Sequence, residues 1–450
     1  MPIKGGRRPP GPKGQPIVGM ALKIRRDPLN GLRTFAREYG DIVLFDVLMQ
    51  ERILLNHPDF VEQVLVIQQD KFHKSELTRR ITGRILGQGL LTSEGDFWRR
   101  QRRLVQPAFH RGRVNEYGAT MREIAQAHIN RWRDGEVRDL AQEMTTLTLD
   151  NAVSTLFSTA LPGEAQQVGR AMTFLMRYSL ARQRSPIRIP ENWPTPKNRR
   201  ANRDLAFMDS LVYRMINERR SEKRSNRRED LLSLLMGAMD EDGSRMTQKQ
   251  LHDEAMTLFI AGHETTAQML GWTWYALSEN PQVEARLHEE LEGVLGGRPL
   301  EAADLGRLPY LQAVMSEILR LHPPAYITAR EVIEPCQIGG YEFLPGTTIL
   351  FSQWVAHRDP RYFDDPDAFR PERWIEGLAN HLPPGAYYPF GDGPRRCIGQ
   401  GFALLEAAIV IGTLAQRFRF RLVPGHPVEV EPLVTLRPRH GIRMTLHARK

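Results

Sequence analysis

Phe390-Gly391-Asp392-Gly393-Pro394-Arg395-Arg396-Cys397-Ile398-Gly399 places one cysteine between a glycine-rich, proline-stiffened loop and a long apolar segment. Glycine lets backbone N–H groups approach a sulfur closely. The segment from Gly399 to Phe418 is expected to be a helix, and its N-terminal dipole favours negative sulfur. Arg395 and Arg396 add positive potential. A thiolate held this way can be a nucleophile, a redox group or a metal ligand, and the loop alone leaves the three open.

Composition bounds the rest. At 450 residues the chain allows about three ordinary domains or one large core. A hydrophobic share of 41% excludes wholesale disorder. The net charge of +9 fits an acidic protein partner, an anionic membrane surface or nucleic acid, and equally a solvated basic surface. Two cysteines, Cys336 and Cys397, make no disulfide framework and point to a reducing compartment. Cys336, in a strand or hairpin, reads as structural. Met1 to Gly14 is basic and rich in Pro and Gly, without the apolar core of a secretory signal. No stretch reaches the roughly 20 apolar residues that span a bilayer. Gly401 to Phe418 comes nearest but contains Glu406, and reads as a buried helix. A soluble, cytoplasmic chain is expected.

The pattern along the chain is mainly α with small β-sheets near both ends. Residues 1–28 form a Pro/Gly-rich lead-in. Leu29 to Tyr39 is helical, and Asp41 to Leu48 with Arg52 to Leu55 reads as a strand pair. Ser93 to His110 is helical. Residues 183–198 carry four prolines around Trp193 and read as a loop or lid. Arg219 to Asp230 reads as a solvated, charged connector. Thr247, with Gln250 three residues on, opens the longest helix with a capping box. That helix runs to about Ser278 and stops before Asn280-Pro281. Helices follow over Pro281 to Leu295 and Pro309 to His322. Tyr341 to Leu350, with Pro345-Gly346 as its turn, reads as a hairpin. No repeat, Rossmann fingerprint or phosphate loop is present.

In the middle of the longest helix stands Ala261-Gly262-His263-Glu264-Thr265-Thr266. Glycine and tandem threonines are poor central helix residues, and a threonine hydroxyl can bond the carbonyl one turn earlier. Gly262 leaves room for a flat cofactor against the backbone. A zinc-protease reading fails, because it needs a second histidine where Ala267 stands. Glu317 and Arg320 lie three apart on one helix face, where they can pair. Apolar neighbours imply burial, and Arg373 can complete a satisfied cluster. In Trp98-Arg99-Arg100-Gln101-Arg102-Arg103, Trp98 and Arg102 share one face, with Arg99, Arg100 and Arg103 turned outward.

These four stretches, in this order from Trp98 to Gly399, resemble the cytochrome P-450 family. The Phe-x-x-Gly-x-Arg-x-Cys-x-Gly spacing is met at Phe390, Gly393, Arg395, Cys397 and Gly399. The resemblance implies one cytochrome P-450 domain over residues 1–450, with a long central helix over haem b (iron protoporphyrin IX) and no fused reductase. It implies Cys397 as the iron ligand. Glu264 and Thr265 would deliver protons, and Ala261 and Gly262 would lie against the haem. Trp98, Arg102, Arg330 and Arg395 would hold the propionates. Glu317, Arg320 and Arg373 would lock the core structurally. It further implies a monooxygenase that uses O2 and electrons from a separate ferredoxin or flavodoxin with an NAD(P)H-dependent reductase. An acidic donor would dock on the outward arginines. Nucleic acid and a transmembrane anchor are not expected. The alternative is a haem-thiolate peroxygenase, isomerase or dehydratase without external electrons. Phe259, Ile260, Ala325, Tyr326, Ile327, Val434 and Thr435 would line an apolar pocket, with Tyr326, Thr328 and Thr435 offering polar contacts. The substrate would be hydrophobic: a terpenoid, fatty acid, alkane or similar.

Overall fold

The computed structural model describes residues 8–15, 18–160, 163–185, 189–221, 230–239 and 243–449. The helices that carry the site are α1 (Gly95–Val105), α2 (Leu140–Leu156), α3 (Ala165–Arg184), α4 (Pro196–Ser221), α5 (Gln248–Glu279), α6 (Pro309–Leu321) and α7 (Gln400–Arg417). The fold is mainly α, as the pattern predicts.

Local chemistry sets the limits of α5. The Thr247 hydroxyl accepts from the Gln250 N–H, and the Gln250 side chain accepts from the Thr247 N–H, closing a capping box. Asn280-Pro281 ends the helix, because the proline ring disfavours helical backbone at the residue before it. Its 32 residues span about 48 Å. Nearly every side chain from Leu251 to Leu277 is buried, so α5 is the axis of the main core. α2 packs along it, and the Thr148 hydroxyl crosses to the His263 carbonyl at 3.1 Å.

A five-stranded sheet lies to one side. Its strands are β1 (Ile42–Val47), β2 (Gln50–Leu55), β3 (Phe72–Lys74), β4 (Thr328–Val332) and, after β5 (Cys336–Ile338) and β6 (Tyr341–Phe343), β7 (Thr348–Phe351). The spatial order is β1-β2-β7-β4-β3. A separate hairpin, β8 (Val430–Pro432) with β9 (Leu436–Pro438), comes near the end of the chain.

Three expectations need correction. The hairpin expected over 341–350 does not form: β6 pairs with β5, while β7 joins β2 and β4. Fully buried β7 satisfies its backbone on both edges, which a lone hairpin cannot do. The connector from Arg219 to Asp230 is not solvated at its ends. Those two side chains are 5% and 1% exposed and pair at 2.5 Å, while 222–229 fall outside the described residues. The lead-in holds a short helix, Ala21–Arg26, with 1–7 and 16–17 outside the described residues. Of the expected lid, 186–188 fall outside them too. Cys336 is buried on β5, as its structural reading requires, and burial pushes its thiol up to about 11.

Candidate active site

The cysteine loop folds as a chain of tight turns. The Gly391 N–H donates to the Tyr388 carbonyl, and the Cys397 N–H returns to the Phe390 carbonyl at 2.9 Å. Gly393 adopts φ +64°, and a Cβ there would stand 1.9 Å from the Leu65 carbonyl oxygen, so only glycine fits. The Gly399 N–H donates to the Cys397 sulfur just before α7 begins. Phe390 packs against the main core.

Cys397 keeps exposed surface although protein surrounds it on all sides, so that surface opens on an interior space. Burial pushes its thiol above the ordinary range, against the Gly399 N–H and the charges of Arg102, Lys74 and Arg396. The loop by itself therefore does not secure the expected thiolate. A coordinated metal cation supplies what is missing, because it deprotonates a ligating thiol. Among the described residues no three His, Cys, Asp or Glu side chains cluster to hold a metal. A metal at Cys397 must bring its other ligands with it.

Beside the cysteine lies a buried surplus of cations. Among the described residues Arg330 makes a single 3.1 Å bond, to the Ala329 carbonyl, and burial pushes it down to about 10 against the Glu94 charge. Arg395 pairs with Glu94, bonds the Ser93 carbonyl at 2.9 Å and stacks 3.8 Å over the Trp98 ring. Lys74 donates to the Leu91 carbonyl at 2.7 Å, and burial holds it well below the usual lysine value. Arg102 reaches the Arg396 carbonyl at 3.0 Å. Lys74, Arg330 and Arg395 share the Glu94 carboxylate, so the cluster calls for further anions. Two propionates of a porphyrin meet that need. Lys74, Glu94, Trp98, Arg330 and Arg395 line one recess. Sequence reasoning missed Lys74 and Glu94. Glu94, one turn before Trp98, carried a weak helical signal. Lys74 carried none, since only the pairing of β3 with β4 sets it opposite Arg330.

On α5 the exposure pattern marks a second wall. Ala261 is exposed in the otherwise mostly buried stretch from Leu251 to Leu277, and Thr265, one turn on, is half-buried. The Thr265 hydroxyl donates to the Ala261 carbonyl at 3.0 Å, so its oxygen can accept a further bond. Glu264 is buried and turned elsewhere. It accepts from the Thr435 hydroxyl at 2.7 Å, from Arg437 Nε at 2.8 Å and from Gln268 at 3.2 Å, with Arg437 Nη2 2.5 Å from its other oxygen. Arg437 had no local sequence signal.

Other expected residues find varied places. Ala325 is exposed, and Ile327 and Val434 are half-buried. Ile260 is buried, and Phe259 packs wholly between Phe157 and His263. Gly262 faces α2: an added Cβ would meet Leu156 at 3.4 Å and Ala152 at 3.8 Å. Its missing side chain serves helix packing. Tyr326 donates to the Leu433 carbonyl at 2.9 Å, and Thr328 accepts from Gln353 at 3.0 Å. The structure brings Glu317, Arg320 and Arg373 together in full burial. Arg320 bonds Glu317 at 2.8 and 2.9 Å, Arg373 at 3.0 Å, and Trp374 adds an N–H at 2.8 Å.

Comparison with known proteins agrees with this geometry. The family model described as Cytochrome P450 matches residues 9–444. Cyclooctatin synthase of Streptomyces melanosporofaciens is 37% identical over 94% of this chain and 92% of its own length. Pentalenene oxygenase of Streptomyces avermitilis is 34% identical over 97% of both. The solved structure of retinoic acid-bound cyanobacterial CYP120A1 superposes with a TM-score of 0.86 at 27% identity, covering 99% of this chain and 100% of that one. No helix among the described residues is long and apolar enough to cross a membrane.

Proposed function

The chain belongs to the cytochrome P450 family and is a cytochrome P450 monooxygenase, and we propose that it oxidises a polycyclic terpenoid with haem b as cofactor. The observation that carries the haem reading is Cys397: a lone thiol opening on an interior space, beside buried cations that lack anions. When bound, a thiolate-ligated iron porphyrin supplies the oxidation itself, inserting one oxygen atom from O2 into substrate.

The protein's own residues bind, orient and meter protons. Cys397 ligates the metal, and the Gly399 N–H holds the sulfur in place. Lys74, Arg102, Arg330 and Arg395 hold the propionates, with Trp98 stacked behind Arg395. Thr265 offers a hydroxyl at the exposed spot of α5, and Glu264 supplies the proton that passes to it. Ala261, Ala325, Ile327 and Val434 present apolar surface that orients a hydrocarbon and excludes water. Two relatives named for cyclooctatin and pentalenene chemistry support the terpenoid class. Electrons come from a separate ferredoxin or flavodoxin and its NAD(P)H-dependent reductase. We place the whole chain in one domain, working in the cytoplasm.

The test is a spectral titration of haem-reconstituted protein with pentalenene, cyclooctat-9-en-7-ol, palmitic acid and retinoic acid. The terpenes are expected to convert the low-spin ferric spectrum to high spin at micromolar concentration. A shift with palmitic acid alone, or none at all, overturns the terpenoid class. A haem spectrum retained unchanged in Cys397→Ala overturns thiolate ligation.

A further inference from the structure

Between the helix Glu76–Leu86 and α1 the chain runs from Gly87 to Glu94 in neither helix nor strand. Backbone of this kind, where buried, must find its partners elsewhere. Two of its N–H groups go to α5: Gln88 donates to Asp253 Oδ2 at 3.0 Å and Leu90 to Glu254 Oε2 at 2.9 Å. Both acids are buried near the start of that helix. Two of its carbonyls go to the cations beside Cys397: Leu91 accepts from Lys74 Nζ at 2.7 Å and Ser93 from Arg395 at 2.9 Å. Glu94 closes the far end, accepting the Lys74 N–H at 2.8 Å and pairing with Arg395. In between, the Thr92 and Ser93 N–H groups both donate to the Gly89 carbonyl at 3.0 Å.

The fit against α5 is close. Gly87 adopts φ +57°, and a Cβ there would stand 2.3 Å from the Asp253 carboxyl carbon; at Gly89 a Cβ would stand 2.1 Å from the Thr257 hydroxyl. Asp253 is braced in turn by Lys249 at 2.8 Å and by His252 at 3.1 Å, which reaches Asp209 of α4 at 3.3 Å. Burial pushes the Glu254 carboxyl up to about 8, so at pH 7 it accepts the Leu90 N–H chiefly as a neutral acid. At the other end, an ammonium has three donors and a guanidinium five. Leu91 takes one of the Lys74 donors, while Ser93 and Glu94 take donors of Arg395. A cation tied in this way presents its remaining donors in a set direction, and Lys74 and Arg395 line one recess with Arg330.

We propose that Asp253 and Glu254 are positioning residues for the haem propionates: they hold segment 87–94 against α5, and that segment aims Lys74 and Arg395 into the recess where the propionates bind. The proposal rests on the reading of this recess as the propionate site. The long helix then serves the cofactor twice. Its open face at Ala261 and Thr265 does so directly, and its carboxyls two turns earlier do so through a strap of backbone that ends on the cations. The two glycines let the strap lie flat on the helix, and the acids stop it from sliding along it.

The test uses the haem-loaded, full-length enzyme in two arms. In the first, amide hydrogen exchange is measured for wild type, Glu254→Met, which removes the acceptor, and Glu254→Gln, which keeps one. Exchange across 87–94 is expected to quicken about tenfold in Glu254→Met and to stay near wild type in Glu254→Gln, with 140–156 unchanged in both. Unchanged exchange over 87–94 in Glu254→Met, or equal quickening in the two variants, overturns the tie. In the second arm, haem loss to excess apomyoglobin is timed in a double-mutant cycle of Glu254→Met and Lys74→Met. Glu254→Met is expected to quicken haem loss about tenfold in the wild-type background and less than about twofold in Lys74→Met, because the strap then has little left to aim. In an Arg102→Met background, whose guanidinium bonds Arg396 and not the strap, the full effect of Glu254→Met should return. Equal effects in the wild-type and Lys74→Met backgrounds overturn action through Lys74. Haem loss unchanged in Lys74→Met alone overturns the propionate reading itself, a failure that the exchange arm keeps distinct from loss of the tie. Should Glu254→Met not fold, Asp253→Ala, which removes the acceptor of the Gln88 N–H, takes its place in both arms, with Asp253→Asn as the variant that keeps an acceptor.

Discussion

At Glu317 two oxygens serve five donors: Arg320, which gives two, Arg373, the Arg370 N–H and the Trp374 N–H. Arg320 also caps the carbonyls of His357, Pro366 and Ala368, so one guanidinium closes the backbone of a loop that has no sheet to close it. Glu317→Gln leaves two buried arginines short of a counter-charge and is expected to cost about 3–5 kcal/mol, read from the urea midpoint. A loss under about 1 kcal/mol would mean the cluster is dispensable. Burial opposes the Glu317 charge, but Arg320 and Arg373 outweigh it and hold the carboxyl below its ordinary 4.5. A depressed carboxyl adds stability above its unfolded value and loses it as pH falls through the folded one. The gap between wild type and variant should therefore narrow on acidification below about pH 4.5. The spacing of Glu317 and Arg320 made their pairing legible in sequence. Arg373 was reachable only through the family resemblance, because it lies 53 residues beyond Arg320 in the chain.

Among the elements, α5 does most to organise the molecule, and its ends and middle are held differently. Near its start His252 stacks on Tyr213 of α4 at 4.4 Å and pairs with Asp209 at 3.3 Å and Asp253 at 3.1 Å. Burial disfavours the imidazolium, but the two carboxylates prevail and raise it to about 9. A raised histidine contributes fully below its unfolded value and loses the contribution as pH rises through the folded one. His252→Gln is expected to lower the melting temperature most below pH 6.5, by the equivalent of up to about 3 kcal/mol, and to converge with wild type above pH 9. A pH-independent gap would assign the loss to packing. In the middle of the helix, Gly262 looked in sequence like a clearing for a cofactor. Folded, it meets α2, because one helix face is shared between the interior space and a neighbouring helix and the glycine falls on the neighbour's side. Gly262→Ala should keep full haem content, since the gain in helix propensity, about 1 kcal/mol, opposes a contact at 3.4 Å with Leu156 that is only slightly tight. Loss of haem in that variant would restore the cofactor reading.

For the whole molecule the relevant quantity is charge. The net +9 is not spread evenly around Cys397: Arg99, Arg103 and Arg396 stand exposed beside the cysteine loop, the face an acidic electron donor would approach. Reduction by a plant-type [2Fe–2S] ferredoxin is expected to slow about tenfold between 50 and 500 mM NaCl, as screening shortens the reach of the field. Arg103→Glu should slow it at low salt and match wild type at high salt. A rate indifferent to salt would remove this face as the docking surface.

What the sequence determined unaided is whatever depends on near neighbours along the chain. The capping box at Thr247, the stop at Asn280-Pro281 and the thiol ahead of α7 are set by residues a few positions apart, so their signals lie together. Only the tertiary structure decided what depends on meeting across the fold. β7 has its partners in β2 and β4 rather than in the strand just before it. Lys74 acquires its role by standing opposite Arg330. Glu264 is held by an arginine 173 residues away. Local backbone chemistry is short-ranged and burial of one face repeats along an element, whereas the choice of partner across the fold follows volume and charge balance between distant segments, which no single segment's pattern carries.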